Sequence, residues 1–168
     1  MNYYLITNAS GQTVGGVSFE AAPDPLPSCY TPCTLDQSQN PSLYSVSGGV
    51  VVENVAQAQA AQIALLRAAC HSAITGGFTS SALGSAYNYP SDPTSQSNLD
   101  TVAGSPSGGS LWCESGGVWA MKPHTQSQAQ AVLASFVAWL NACQTQLATL
   151  TGEVNAATTV SAVQAIAW

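Results

Sequence analysis

The stretch TQSQAQAVLASFVAWLNACQTQLATLTGEV, residues 125–154, decides the fold. Its apolar residues recur at Ala129, Leu133, Phe136, Leu140, Cys143, Leu147, Leu150 and Val154, in alternating steps of four and three. That spacing holds one stripe on one side of an α-helix over several heptads. Thr125 and Gln128 ahead of it form a capping box, in which each side chain serves the other's backbone N–H. The expected helix, 126–154, is roughly 40 Å long at the α-helical rise. Two roles for the stripe stand side by side. Val132, Val137 and Trp139 widen it beyond a strict seam, which suits packing inside the chain. A bundle with a second copy or a partner helix is the other reading, with Leu133, Phe136, Leu140, Leu147 and Leu150 as candidate contacts. The flanking Gln, Ser, Thr and Asn supply no charge pattern to choose a partner.

Outward from this helix the chain alternates hairpins and helices. Asn54 caps a helix expected over 55–74, striped by Ile63, Leu66, Cys70 and Ile74 and ended by Gly76-Gly77. Short strands fit 76–89. Asp92-Pro93 then opens a short helix that stops before Pro106. Leu111–Glu114 and Val118–Met121 make a hairpin across Ser115-Gly116-Gly117, and Thr159 caps a short C-terminal helix over 160–167. At the other end, Tyr3–Thr7 with Thr13–Phe19, and Leu43–Val46 with Val50–Glu53, read as two further hairpins. Between them, 21–41 carries Pro23, Pro25, Pro27, Pro32 and Pro41, and is expected to be an arm without regular structure. The fold class is α+β. The expected division is a small β-rich module with its Pro-rich arm at 1–53 and an α+β domain at 54–168.

Composition bounds the function. Of 168 residues only two are basic, Arg67 and Lys122, against eight acidic, for a net charge of −6. A phosphate-tracking surface cannot be built from two cations, so nucleic acid is not expected as a partner. Charged residues are 6% of the chain, where an ordinary domain has roughly 25%. Hydrophobic residues at 46% argue against disorder. The apolar stretches are broken by Gln, Ser, Thr and Asn, so no membrane span is expected. The N-terminus lacks a signal-peptide pattern, which places synthesis in the cytoplasm.

Catalytic signatures are weak. The carboxylates are scattered, and neither His71 nor His124 adjoins a nucleophile in a recognisable motif. GSPSG at 104–108 lacks the register of a nucleophile elbow. The Gly-Gly pairs precede no Lys and read as turns rather than phosphate loops. The expectation is no enzyme, no cofactor and no metal. Five cysteines, an odd number, read as free thiols, with a metal or a Cys29–Cys33 bridge as the alternative at that close pair. Tyr87, Tyr89, Trp112 and Trp119, set among Gly, Ser and Asn, suit either a contact surface for protein or sugar or the core of a small sheet.

Several stretches carry a family likeness. They are Gly76-Gly77-Phe78, ALGSAYNYPSD at 82–92, QSNL at 96–99, Leu111-Trp112-Cys113, GVWAMKPHT at 117–125, and the terminal AATTV and AIAW of 156–168. Together they resemble an uncharacterised domain of tailed-bacteriophage proteins, often labelled tail-fibre or tail-fibre-assembly proteins, across about 55–168. The resemblance implies a structural tail protein of the virion, a tail-fibre, fibre-adaptor or baseplate-associated subunit assembled in the bacterial cytoplasm. Its partners would be other tail proteins and further copies of itself, with host-surface contact left open. The alternative it implies is an assembly chaperone absent from the mature particle.

Overall fold

A computed structural model describes residues 1–168. The elements run β1 (Asn2–Thr7), β2 (Thr13–Phe19), β3 (Tyr30–Cys33), α1 (Leu35–Gln39), β4 (Tyr44–Ser47), β5 (Val50–Glu53), α2 (Val55–Thr75), β6 (Phe78–Ser80), β7 (Tyr87–Tyr89), α3 (Pro93–Gly104), β8 (Gly109–Ser115), β9 (Val118–His124), α4 (Gln126–Ala156) and α5 (Val160–Gln164). A single 3-10 turn, Pro41–Leu43, sits between α1 and β4. The chain is mixed α+β with antiparallel sheets, as its patterning predicts.

The chain packs as two compact units, Met1–Ala64 with Gly152–Ala167, and Leu65–Thr151 with Trp168. Both long helices divide between them. The grouping differs from the expected boundary at 53, because the end of α4 and all of α5 are tied to the end of β5 and the start of α2. Three side chains show why. The Glu53 carboxylate accepts from the Val160 N–H (2.8 Å), Gln59 donates to the carbonyls of Val154 (3.2 Å) and Ala157 (3.1 Å), and Gln62 donates to the Ile166 carbonyl (2.6 Å). Glu53 thus satisfies an N–H at the start of α5, and the two glutamines satisfy carbonyls at the end of α4 and beyond, groups that helix ends leave without intrahelical partners. Val154, Val160 and Val163 are fully buried in this unit.

In the first unit β1 lies between β2 and β3. The Pro-rich arm is a correction to the expectation: residues 30–33 form a strand, and Thr34 opens α1 with a complete capping box. Pro32 is tolerated because β3 is an edge strand, where a residue without an N–H breaks no ladder on its outer side. Gly16 marks the close approach of α1 to β2, since a Cβ there would stand 1.9 Å from the Ser38 carbonyl oxygen. The Tyr44 hydroxyl donates to Asp36 (2.8 Å). Burial, with the Asp36 bond and charge adding to it, pushes that hydroxyl up to about 12.

The second unit carries a four-stranded antiparallel sheet in the order β6-β7-β8-β9. Its β8–β9 hairpin is longer than expected, paired from Ser115 and Val118 at the turn to Gly109 and His124 at the far end. Leu111 and Cys113 of β8, Phe78 of β6 and Tyr89 of β7 pack with Leu99 and Ala103 of α3 and with Ala129, Val132 and Phe136 of α4 in one core. The α4 stripe therefore faces inward. Ala129, Phe136, Cys143 and Val154 are buried, and Leu133, Leu140, Leu147 and Leu150 are half-buried. Phe136 is thus corrected from a candidate partner contact to a core residue, because the stripe from Ala129 to Phe136 packs against the sheet. Phe136→Asp would put an unpaired carboxylate beside Phe78 and is expected to cost about 4 kcal/mol or more. Leu140→Asp, at a half-buried position, is expected to cost less than half as much. Chemical denaturation followed by circular dichroism checks the order, and an equal or reversed order would contradict the inward placement.

Candidate functional site

Strand alternation sorts the aromatic residues of the second unit onto two faces. In an antiparallel pair, residues directly opposite each other point to the same side. Trp112 lies opposite Met121, Glu114 opposite Trp119 and also Asn88, and Asn88 opposite Thr79. These six residues share the outer face. Tyr87, Tyr89, Leu111, Cys113, Lys122 and His124 share the inner one.

The four aromatic candidates are therefore divided by the register. Trp112 is 48% exposed and Trp119 44%. Tyr89, at 3%, is corrected from contact surface to core. Its ring stacks on Phe78 (centroids 5.7 Å apart), and Phe78 in turn meets Phe136 (5.3 Å). Tyr87 is half-buried on the inner face, with the Lys122 ammonium 5.2 Å from its ring centre. That contact keeps one of the chain's two cations off the outer face.

Below the sheet, the buried Tyr89 and His124 are joined by a hydrogen bond of 2.9 Å between the Tyr hydroxyl and Nε2. His124 Nδ1 lies 2.9 Å from the Lys122 carbonyl oxygen, which can only accept. In the neutral imidazole Nδ1 therefore carries the proton, and Nε2 accepts from Tyr89. Burial is the main cause that raises the Tyr89 hydroxyl, and Cys113 adds to it. Burial also raises the Cys113 thiol, with Lys122 partly opposing. Such a thiol stays protonated and is a poor nucleophile. This polar group supports the sheet rather than facing solvent.

The outer face has its own polar ladder. Thr79 Oγ1 donates to Asn88 Oδ1 (2.9 Å), Asn88 Nδ2 donates to Glu114 Oε2, and Glu114 Oε1 accepts from the Gly117 N–H. Gly117 can take part because the Gly116-Gly117 turn needs positive φ at both residues, 60° and 80°. The ladder fixes the Asn88 amide beside Trp119. Asn88, Thr79, Glu114 and Met121 escaped notice in the sequence, because only the strand register brings them next to the tryptophans.

Two hollows flank this face. One, of about 290 Å³, lies between α3 and the sheet and is walled by Trp112 and Met121. The other, of about 410 Å³, is walled by Trp119 and reaches Asn88, Thr79 and Thr75. Elsewhere, no three His, Cys, Asp or Glu side chains converge, and all five cysteines are free, Cys29 and Cys33 half-buried and the other three buried. No helix is long and apolar enough to cross a membrane.

The division between faces predicts unequal mutational costs. Tyr89→Phe leaves His124 Nε2 buried without a donor and is expected to cost about 1–3 kcal/mol. Trp119→Ala, on the open face, is expected to cost about 1 kcal/mol or less. Urea unfolding of both variants measures the difference, and a costlier Trp119→Ala would contradict the assignment of faces.

No curated protein and no solved structure matches the chain. The family model described as Domain of unknown function (DUF4376) matches residues 57–167, which take in both hollows and the whole four-stranded sheet. That match covers about two thirds of the 168 residues, and the chain belongs to this family of unknown function, DUF4376.

Proposed function

We propose that the chain is a structural protein of a bacteriophage tail, a fibre, fibre-adaptor or baseplate-associated subunit that acts by protein–protein contact and not by catalysis. The observation that carries this reading is apolar surface where a free monomer usually presents charge. Val50 and Val52 on β5, and Val137 and Trp139 on the outer side of α4, are exposed on a chain with only ten charged residues. Mixed surface charge ordinarily keeps a monomer from associating. A subunit whose surfaces are covered by neighbours does not need it.

The likeness of ALGSAYNYPSD and GVWAMKPHT to tail-encoded proteins supports the same reading and supplies the phage context. The buried seam of α4 moves the expected contacts away from Phe136, toward the outer positions of that helix and the β4–β5 hairpin. Contacts with further copies of the chain and with other tail proteins are the partners this reading implies, and the virion tail is its location.

Quantitative mass spectrometry of purified particles tests the proposal. The chain is expected at a fixed stoichiometry with known tail proteins. Absence from mature particles, with presence in lysates of infected cells, would overturn it in favour of an assembly chaperone.

A further inference from the structure

We propose that the outer face of the four-stranded sheet, with the hollows beside Trp112 and Trp119, is a binding site for neutral glycans. This inference rests on the geometry of the second unit and does not depend on the tail assignment.

The first argument is the pairing of aromatic walls with uncharged hydrogen-bonding groups. A pyranose ring offers an apolar C–H face and a rim of hydroxyls that both donate and accept. Binding it in water needs a flat apolar surface for the first and groups of dual character for the second. The hollow at Trp112 sets the indole and Met121 against Asn98 and Ser110, which can donate and accept, and against Ser95 and Thr101, whose hydroxyls donate to Asp92 and the Ser97 carbonyl and are left to accept. The hollow at Trp119 sets its indole against Thr75 and Thr79, whose hydroxyls donate within the chain and keep lone pairs to accept, and against the Asn88 amide. Their volumes, about 290 and 410 Å³, lie at the small end of the ligand-pocket range of roughly 300–1,000 Å³. Both are lined by Tyr89 and Pro90, so they adjoin, and a short oligosaccharide can engage the two together.

Pre-organisation is the second argument. The Thr79–Asn88–Glu114–Gly117 ladder immobilises the Asn88 amide before any ligand arrives, which lowers the ordering cost of binding. One Nδ2 hydrogen and further lone pairs remain for a ligand. Trp139, by contrast, uses its indole N–H on the Ala73 carbonyl (3.1 Å). No such bond holds Trp112 or Trp119, whose indole N–H groups are free to donate.

Charge selects the class of glycan. No charged residue lines either hollow. Glu114 beside Asn88 and the chain's net charge of −6 oppose an anionic sugar. Lys122 is on the other face over Tyr87, and Arg67 belongs to α2 and lines neither hollow. A sialylated, uronic or sulfated ligand would meet repulsion without a cation to answer it. Neutral hexoses and N-acetylhexosamines meet none.

The test is binding of the full-length chain to a printed array of neutral hexose and N-acetylhexosamine oligosaccharides, with sialylated and sulfated counterparts alongside. Calorimetry on the neutral oligosaccharides that bind then supplies affinities. Binding is expected for neutral members, weakly dependent on salt, and weakened about tenfold or more by Trp119→Ala or Trp112→Ala. Trp119→Phe, which keeps an aromatic face and loses the indole donor, is expected to fall between. In a titration followed by nuclear magnetic resonance, the indole N–H signals of Trp112 and Trp119 should shift while that of Trp139 stays put. Binding to none of the neutral glycans, preference for the anionic counterparts, or full affinity in folded Trp119→Ala and Trp112→Ala variants would each overturn the proposal. Detection of the chain in particles bears on none of these results, so the two proposals fail separately.

Discussion

The contact between α4 and the inner face of the four-stranded sheet is the constraint on which the second unit depends. Phe136 meets Phe78, Phe78 stacks on Tyr89, and Tyr89 is tied to His124 at the end of β9, immediately before the Thr125 cap. Once these rings are buried, strand alternation leaves no choice about the other side. Trp112, Trp119 and Met121 must face outward, and Asn88, Thr79 and Glu114 must lie beside them. The outer face is thus a consequence of the core, and its polar ladder stiffens what the core has positioned.

The scarcity of charge acquires a structural meaning from this arrangement. Of the two cations, Lys122 lies over Tyr87 on the inner face, and Arg67 is on α2 and lines neither hollow. Carboxylates carry structural bonds: Asp36 accepts from Tyr44, Glu53 from the Val160 amide, and Asp92 from the first turn of α3. The Asp92 carboxyl is held below the usual aspartate range chiefly by the Ser95 hydroxyl and amide. Little charge is left to keep neighbours away, and the uncharged hollows are the chemical counterpart of that economy.

Local features of the fold were legible in the residues, and non-local ones were not. The α4 stripe, the Thr125–Gln128 box and the Asp92-Pro93 start each depend on a few neighbouring residues, and the helices occur at those places. The strand at 30–33 depends on β1 offering an edge to Pro32, which proline density alone conceals. Likewise, the grouping of residues 152–167 with the N-terminal part of the chain rests on Glu53 of β5 and Gln59 and Gln62 of α2, around a hundred positions earlier. At the candidate site the tryptophans stand out by type. Tyr89 belongs to the core because it is one position from Asn88 in a strand whose register is set by Glu114.

Native-state hydrogen exchange of backbone amides tests the central claim most directly. If the sheet and α4 form one cooperative core, the amides of Val132–Cys143 and of β8 are the slowest in the second unit and share one opening free energy. Fast exchange in α4 between Val132 and Cys143, with β8 still protected, would show that the helix is not held by the sheet and would contradict the account.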